Sequence, residues 1–155
     1  MRNRNIKVLI FGSNGLVGSS LMRELNTSGE FTSIIGSNRA DTNLFSFEQT
    51  KSKIESVMPN IIINAAAKVG GIQANNTQRT DFILENLKIN MNLLESIKDF
   101  PDVKIINLGS SCIYPLGAKN PIMEDYFLQG KLEPTNAPYA MAKITAIEIG
   151  RAISH

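Results

Sequence analysis

The sequence predicts an α/β fold: a doubly wound parallel sheet with helices on both faces. Two observations predict it. Short apolar runs alternate with longer stretches of helical period, the pattern of strand and crossover helix. A glycine-rich turn follows the first apolar run directly and opens the first helical stretch. At 155 residues the chain has the size of one ordinary domain and can bury a substantial core.

Strands are expected at residues 6–11, 31–35, 61–64 and 104–108, where the runs are short and rich in Ile and Val. The basic start Met1-Arg2-Asn3-Arg4 followed by residues 6–11 has the look of a signal peptide, but the apolar run is too short and enters a glycine turn, so it reads as a first strand. A helix over 16–26 carries Leu16, Val17, Leu21 and Leu25, and one over 47–57 carries Phe47, Ile54 and Val57 before Pro59 stops it. The longest helix, over about 81–99, places Ile83, Leu87, Met91, Leu94 and Ile97 on one face, which should lie against the sheet. A loop rich in Pro, Gly and polar residues runs from 110 to 138, a length more often functional than idle, and a last helix begins near Tyr139. A sheet ending with the fourth strand has an open edge, which predicts poor solubility or a partner.

Composition narrows the class. With 43% hydrophobic and 19% charged residues the chain is of soluble globular type. A net charge of +2, with its Lys and Arg dispersed, argues against nucleic acid as partner. No run approaches the roughly 18 apolar residues of a membrane span. The single cysteine, Cys112, excludes an intrachain disulfide and fits a reducing cytoplasm.

Gly12, Gly15 and Gly18, with Ser13, Asn14, Leu16 and Val17 between them, stand between strand and helix. Glycine lets phosphate oxygens approach the backbone, and the helix N-terminus turns unpaired amides and partial positive charge toward them. This is a Rossmann-like dinucleotide turn, in a three-three spacing used by short-chain dehydrogenases; without that context the glycines would serve chain reversal alone. After the second strand comes Gly36-Ser37-Asn38-Arg39, with no acid before Asp41. An acid there would select NAD by accepting from the ribose, whereas Arg39 can pair with a 2′-phosphate, so NADP(H) is favoured; the plainer reading of Arg39 is a solvated charge. Ala65-Ala66-Ala67 offers small side chains where a cofactor would pass close to backbone, or simply packs.

Tyr139 and Lys143 lie one helical turn apart on one face. An ammonium near a phenol lowers the phenol's pKa and can bind the nicotinamide ribose, leaving the hydroxyl to exchange a proton with a carbonyl oxygen. Ser110-Ser111 closes the fourth strand at the carboxyl edge of the sheet, where ligands bind in such folds, and a hydroxyl there can share the charge on the same oxygen. Each feature alone has a bland reading as surface or cap. Glycine turn, serine and Tyr-Lys pair in this order point to hydride transfer.

These residues resemble the extended short-chain dehydrogenases/reductases and, more narrowly, the GDP-L-fucose synthases. The narrow likeness rests on residues 65–72, Ala74-Asn75-Asn76-Thr77, residues 108–115 (Leu108-Gly109-Ser110-Ser111-Cys112 at their start) and Leu132-Glu133-Pro134-Thr135-Asn136-Ala137-Pro138-Tyr139. It covers about 6–151 and looks like the amino-terminal half of a member, a partial NAD(P)-binding domain over 1–155 without the later strands or the sugar-nucleotide region. The resemblance implies epimerisation at C3 and C5 of GDP-4-keto-6-deoxy-D-mannose and NADPH-dependent reduction at C4. Catalytic roles would fall to Ser110, Tyr139 and Lys143, with Cys112 as one acid/base group of the epimerisation; by itself a lone cysteine reads as a small buried hydrophobe. Cofactor contacts would come from Gly12 to Gly18, Arg39, Ala65 to Ala67, Leu108 to Ser111, Tyr139 and Lys143. The resemblance further implies a GDP-sugar substrate, a homodimeric full-length form, and no metal. The family's second acid/base is a histidine well downstream, and His155 follows the Tyr-Lys helix too closely to be its counterpart. Another nucleotide-sugar epimerase, dehydratase or reductase, or a non-catalytic or truncated NADP-binding fragment, are the alternatives.

Overall fold

The computed structural model describes residues 5–154; the basic start Met1 to Arg4 and His155 lie outside the described residues. In chain order it contains β1 (Lys7–Phe11), α1 (Leu16–Ser28), β2 (Ser33–Ser37), α2 (Phe47–Val57), β3 (Ile61–Asn64), α3 (Ile72–Thr77), α4 (Arg79–Ile97), β4 (Lys104–Asn107) and α5 (Ala137–Ile153). Single 3-10 turns lie at Ser111–Ile113 and Glu124–Tyr126. The chain forms two compact units, one of residues up to Ala67 with Asn92–Leu108, the other of Lys68–Met91 with the residues from Gly109 on.

The first unit is a parallel sheet of four strands in the order β2-β1-β3-β4, a Rossmann-like arrangement. The central strands β1 and β3 carry the continuous apolar runs Val8-Leu9-Ile10-Phe11 and Ile61-Ile62-Ile63, as strands covered on both faces do. Val8, Ile10 and Ile63 share one face and pack against Leu21, Met22 and Leu25 of α1, with Phe31, Ile34 and Ile61 around them. Leu9, Phe11 and Ile62 face the other way by strand alternation and are at most 1% exposed. The same unit buries Ile54 of α2 and Leu93, Leu94 and Ile97 of α4. Ser46 starts α2 by accepting from the Gln49 amide, and Gly29 ends α1 in the left-handed region at φ 67°. β4 is an edge strand whose Ile106 is half exposed.

The second unit packs around Phe82 and Ile89 of α4 and Ala140, Ala142, Ile144 and Ala146 of α5. Two asparagines belong to its interior. Asn86 accepts from the Lys68 amide (2.9 Å) and donates to the carbonyls of Lys68 (3.0 Å) and Phe82 (2.7 Å), and Asn90 donates to the Asn86 carbonyl (2.9 Å).

Several expectations are corrected. β2 lies two residues later than 31–35, because Gly36 and Ser37 pair with Ile10 and Phe11 while Phe31 packs against the core from the preceding loop. β1 begins at Lys7, β4 ends at Asn107, and α1 runs on to Ser28. The helix expected over 81–99 is α4, Arg79–Ile97, and α3 precedes it in a stretch read as loop. The buried face of α4 runs through Phe82, Asn86, Ile89, Asn90, Leu93, Leu94 and Ile97, so Leu94 and Ile97 are buried as expected but Met91 is 49% exposed. Placing polar Asn86 and Asn90 inside rotates that face away from the one an apolar count selects.

Replacing Asn86 with Ala strands the Lys68 amide and carbonyl. We expect unfolding free energy to fall by about 2 kcal/mol in a urea titration, the cost of orphaned buried polar groups. A loss within error of zero would show that solvent satisfies them.

Candidate active site

The glycine turn lies at the carboxyl end of β1, beside the end of β3, where the sheet order changes direction and a crevice forms in open α/β sheets. Gly12 adopts φ +77°, and a Cβ there would stand 2.7 Å from the Ala66 nitrogen and 2.8 Å from the Ala65 carbonyl carbon. A Cβ on Gly18 would meet the Gly12 carbonyl oxygen at 2.1 Å, so the first turn of α1 sits directly on the loop. Gly15 is less demanding, with extended backbone at the N-cap. It brings no side-chain cap to α1, whose first turn holds no acid. Leu16 is 88% exposed, Val17 and Asn14 are exposed, and Ser13 is buried. A helix of 13 residues therefore presents an uncapped N-terminus behind a loop too tight for side chains, which suits a phosphate-bearing ligand.

Neighbouring backbone is fixed by an asparagine pair that sequence reading missed. Asn64, 1% exposed, donates to Asn107 Oδ1 (2.8 Å) and accepts from the Ala66 amide (3.1 Å), while the Ala65 amide bonds to the Phe11 carbonyl (3.0 Å). The available signal was that β3 and β4 both end in Ile-Ile-Asn. Ala65, Ala66 and Ala67 are half-buried, and the Leu108 amide reaches the Asn64 carbonyl. Beyond β2, Arg39 is exposed with its guanidinium 5.2 Å from the centre of the Phe45 ring. Asp41 turns back to accept from the Asn38 amide (2.9 Å), which commits that acid to the loop.

The second unit gathers Ser110, Cys112, Tyr139 and Lys143. Gly109 is exposed with open space at its Cα, and Ser111 is exposed. Ser110 opens the 3-10 turn, its Oγ accepting from the Cys112 amide (3.4 Å) and from Cys112 Sγ (3.1 Å). That turn packs on α5. There Lys143 Nζ lies 5.7 Å from the centre of the Tyr139 ring, and the ring meets Phe82 edge-on at 6.3 Å and 78°. Lys143 is only 4% exposed, and burial pulls its pKa below the ordinary lysine value against an opposing contribution from Cys112. Burial pushes the Tyr139 phenol up, and the charge of an ionised Cys112 adds to this. The expected lowering of the phenol by the ammonium is thus not found: desolvation of the half-buried phenolate sets the direction, upward. A phenol held protonated through neutral pH is a proton donor, and Ser110, while accepting from Cys112, keeps its own O–H to give.

Phe82 was also missed, since it stands outside the face read for the long helix. Its ring touches Tyr139, carries Lys68 Nζ at 5.7 Å, and would stand 3.0 Å from a Cβ on Gly70 at its Cζ, close enough that it would have to shift. Lys68 is tied to α4 by Glu85 (3.0 Å) and Asp81 (3.9 Å).

A family model described as the NAD dependent epimerase/dehydratase family matches residues 8–155. GDP-L-fucose synthase 1 of Arabidopsis thaliana is 42% identical over 152 residues, covering 98% of this chain and 47% of that protein. GDP-L-fucose synthase of Escherichia coli K12 is 42% identical over 143 residues, covering 92% of this chain and 44% of that protein. Among solved structures, a GDP-D-glycero-L-gluco-heptose synthase from Campylobacter jejuni, in the presence of NADPH, superposes with a TM-score of 0.87 at 30% identity, over 98% of this chain and 44% of its own. The chain spans less than half the length of these relatives. Among the described residues no helix is long and apolar enough to cross a membrane, and no cluster of His, Cys, Asp and Glu could hold a metal.

Burial of Tyr139 can be read directly. The alkaline absorbance transition lost in Tyr139→Phe should have its midpoint above pH 10.0, the ordinary phenol value. A midpoint at or below that value would contradict the desolvation.

Proposed function

The chain belongs to the NAD dependent epimerase/dehydratase family, and from that premise we propose that it is the cofactor-binding portion of an NADPH-dependent epimerase-reductase that makes GDP-L-fucose from GDP-4-keto-6-deoxy-D-mannose. The observation that carries this reading is the grouping of Ser110, Cys112, Tyr139 and Lys143 in one compact unit, in a chain 42% identical to two GDP-L-fucose synthases. Because those relatives are more than twice as long, turnover is proposed for a protein that joins this chain to a sugar-nucleotide-binding region, as a homodimer.

The fit to NADP(H) is supported by the glycine cradle that a Cβ would fill and by the uncapped α1 N-terminus. Gly12 to Gly18 would hold the pyrophosphate, Arg39 the 2′-phosphate and Lys143 the nicotinamide ribose, with Ala65 to Ala67 and Leu108 to Ser111 alongside. When bound, NADPH supplies the hydride for C4. Tyr139 gives its proton to the C4 oxygen, and Ser110 hydrogen-bonds the same oxygen. Both donors stabilise the negative charge that gathers there when a proton alpha to the ketone is removed. Cys112 exchanges that proton at C3 or C5. Reduction consumes a proton, and Tyr139 holds one at neutral pH.

Likeness to the Campylobacter jejuni heptose synthase supports a second reading, an enzyme that makes another GDP-linked sugar such as a GDP-heptose. Supplying the precursor of each sugar to the same preparation separates the two.

With GDP-4-keto-6-deoxy-D-mannose as substrate, Tyr139→Phe should cut NADPH oxidation by about a hundredfold or more while leaving NADPH binding intact. Cys112→Ser should slow solvent deuterium uptake at C3 or C5. Wild-type turnover by the Tyr139 variant would remove the phenol from the reaction, and unchanged uptake would do the same for the thiol. Arg39→Ala should weaken NADPH binding about tenfold and NADH binding little. Equal loss for both nucleotides would sink the 2′-phosphate contact.

A further inference from the structure

Tyr139 is the third residue of α5, in the turn of a helix that ordinarily frays. Its own helix does little to hold it. Asn136 at the N-cap makes no side-chain capping bond. The hold comes from outside the helix. The Glu133 carboxylate accepts from the Thr135 amide (3.1 Å), the Thr135 hydroxyl (2.6 Å) and the Asn136 amide (3.1 Å). Arg79, the first residue of α4, donates through Nη1 to the carbonyls of Pro134 (2.7 Å) and Thr135 (3.3 Å). The bond from the Thr135 hydroxyl, then those from the Thr135 and Asn136 amides and the nearby Arg79 charge, keep the Glu133 carboxyl below the usual carboxylate range, so the acceptor form is the one present near neutrality. One turn along α4 from Arg79, Phe82 sets its ring against that of Tyr139. The start of α4 therefore grips the start of α5 at two points, the backbone at 134–135 and the phenol ring.

We propose that Arg79 and Glu133 are positioning residues for Tyr139, holding the segment that leads into α5 and so fixing where its phenol stands. Arg79 supplies paired donors to two carbonyls from the long helix, and Glu133 organises the amides that lead into α5. Neither side chain needs to touch substrate. The proposal rests on Tyr139 being the proton donor, but the placement is measurable without turnover.

The test uses the whole chain with isotope-labelled tyrosine, followed by NMR and amide hydrogen exchange. The chain has three tyrosines, so Tyr114 and Tyr126 serve as internal references. In Arg79→Met and in Glu133→Gln, the Tyr139 ring signals should move toward unstructured positions. Amide exchange from Thr135 to Met141 should quicken about tenfold, while Tyr114 and the strand amides keep native values. Arg79→Lys, which keeps the charge and an N–H donor but not the planar guanidinium, should restore part of the native signal. It and Glu133→Asp give the graded answer if the harsher variants do not fold. Unchanged Tyr139 signals and exchange in these variants would overturn the proposal, as would equal loosening of α5 and the sheet. Failure of the proton-donor reading would show separately, as full turnover by Tyr139→Phe with these NMR effects intact.

Discussion

The first unit depends on one close approach: Gly12 against the main chain of Ala65 and Ala66, with the Gly12 carbonyl in turn under Gly18. Side chains are excluded at both contacts, since a Cβ would stand well inside contact distance of backbone that cannot swing away. The approach lets β1 and β3 pair up to Phe11 and Asn64 while the turn stays low enough to leave the α1 N-terminus open. Asn64 completes the arrangement by tying the Ala66 amide and Asn107 into one hydrogen-bonded edge. Packing, backbone geometry and an exposed partial charge therefore come from the same few atoms.

In the second unit the controlling effect is burial. Lys143 and Tyr139 stand one turn apart, and pairwise electrostatics alone would ease ionisation of the phenol. Loss of solvent around both groups sets the direction instead, so the lysine is pulled down and the phenol pushed up. Proximity to Cys112 adds to the first-order effect at the phenol and opposes it at the amine. The result favours a protonated tyrosine, in a unit where the Ser110 hydroxyl already accepts from the thiol.

Much of this was legible in the sequence where a local rule decides the outcome. The apolar runs located the strands, Pro59 marked the end of α2, and Gly12 and Gly18 announced a tight turn. The rest depended on tertiary context. Phe31 has the character of a strand residue but packs from a loop, which displaced β2. Asn86 and Asn90 are polar yet buried because they satisfy backbone groups, and no periodicity count would put them inside. Arg79 and Glu133 read as ordinary surface charges until their carbonyl and amide partners are in view. The direction of the Tyr139 shift could not be had from spacing, because it is set by how much solvent the fold removes.

The central claim is that the turn from Gly12 to Gly18 and the N-terminus of α1 form a phosphate cradle for NADP(H). Titrating the isotope-labelled chain with NADPH and following backbone amides by NMR tests it most directly. Saturable shifts concentrated at Asn14 to Gly18 are expected. NADPH binding that leaves these amides unmoved, or no binding by a chain with native strand signals, would contradict it.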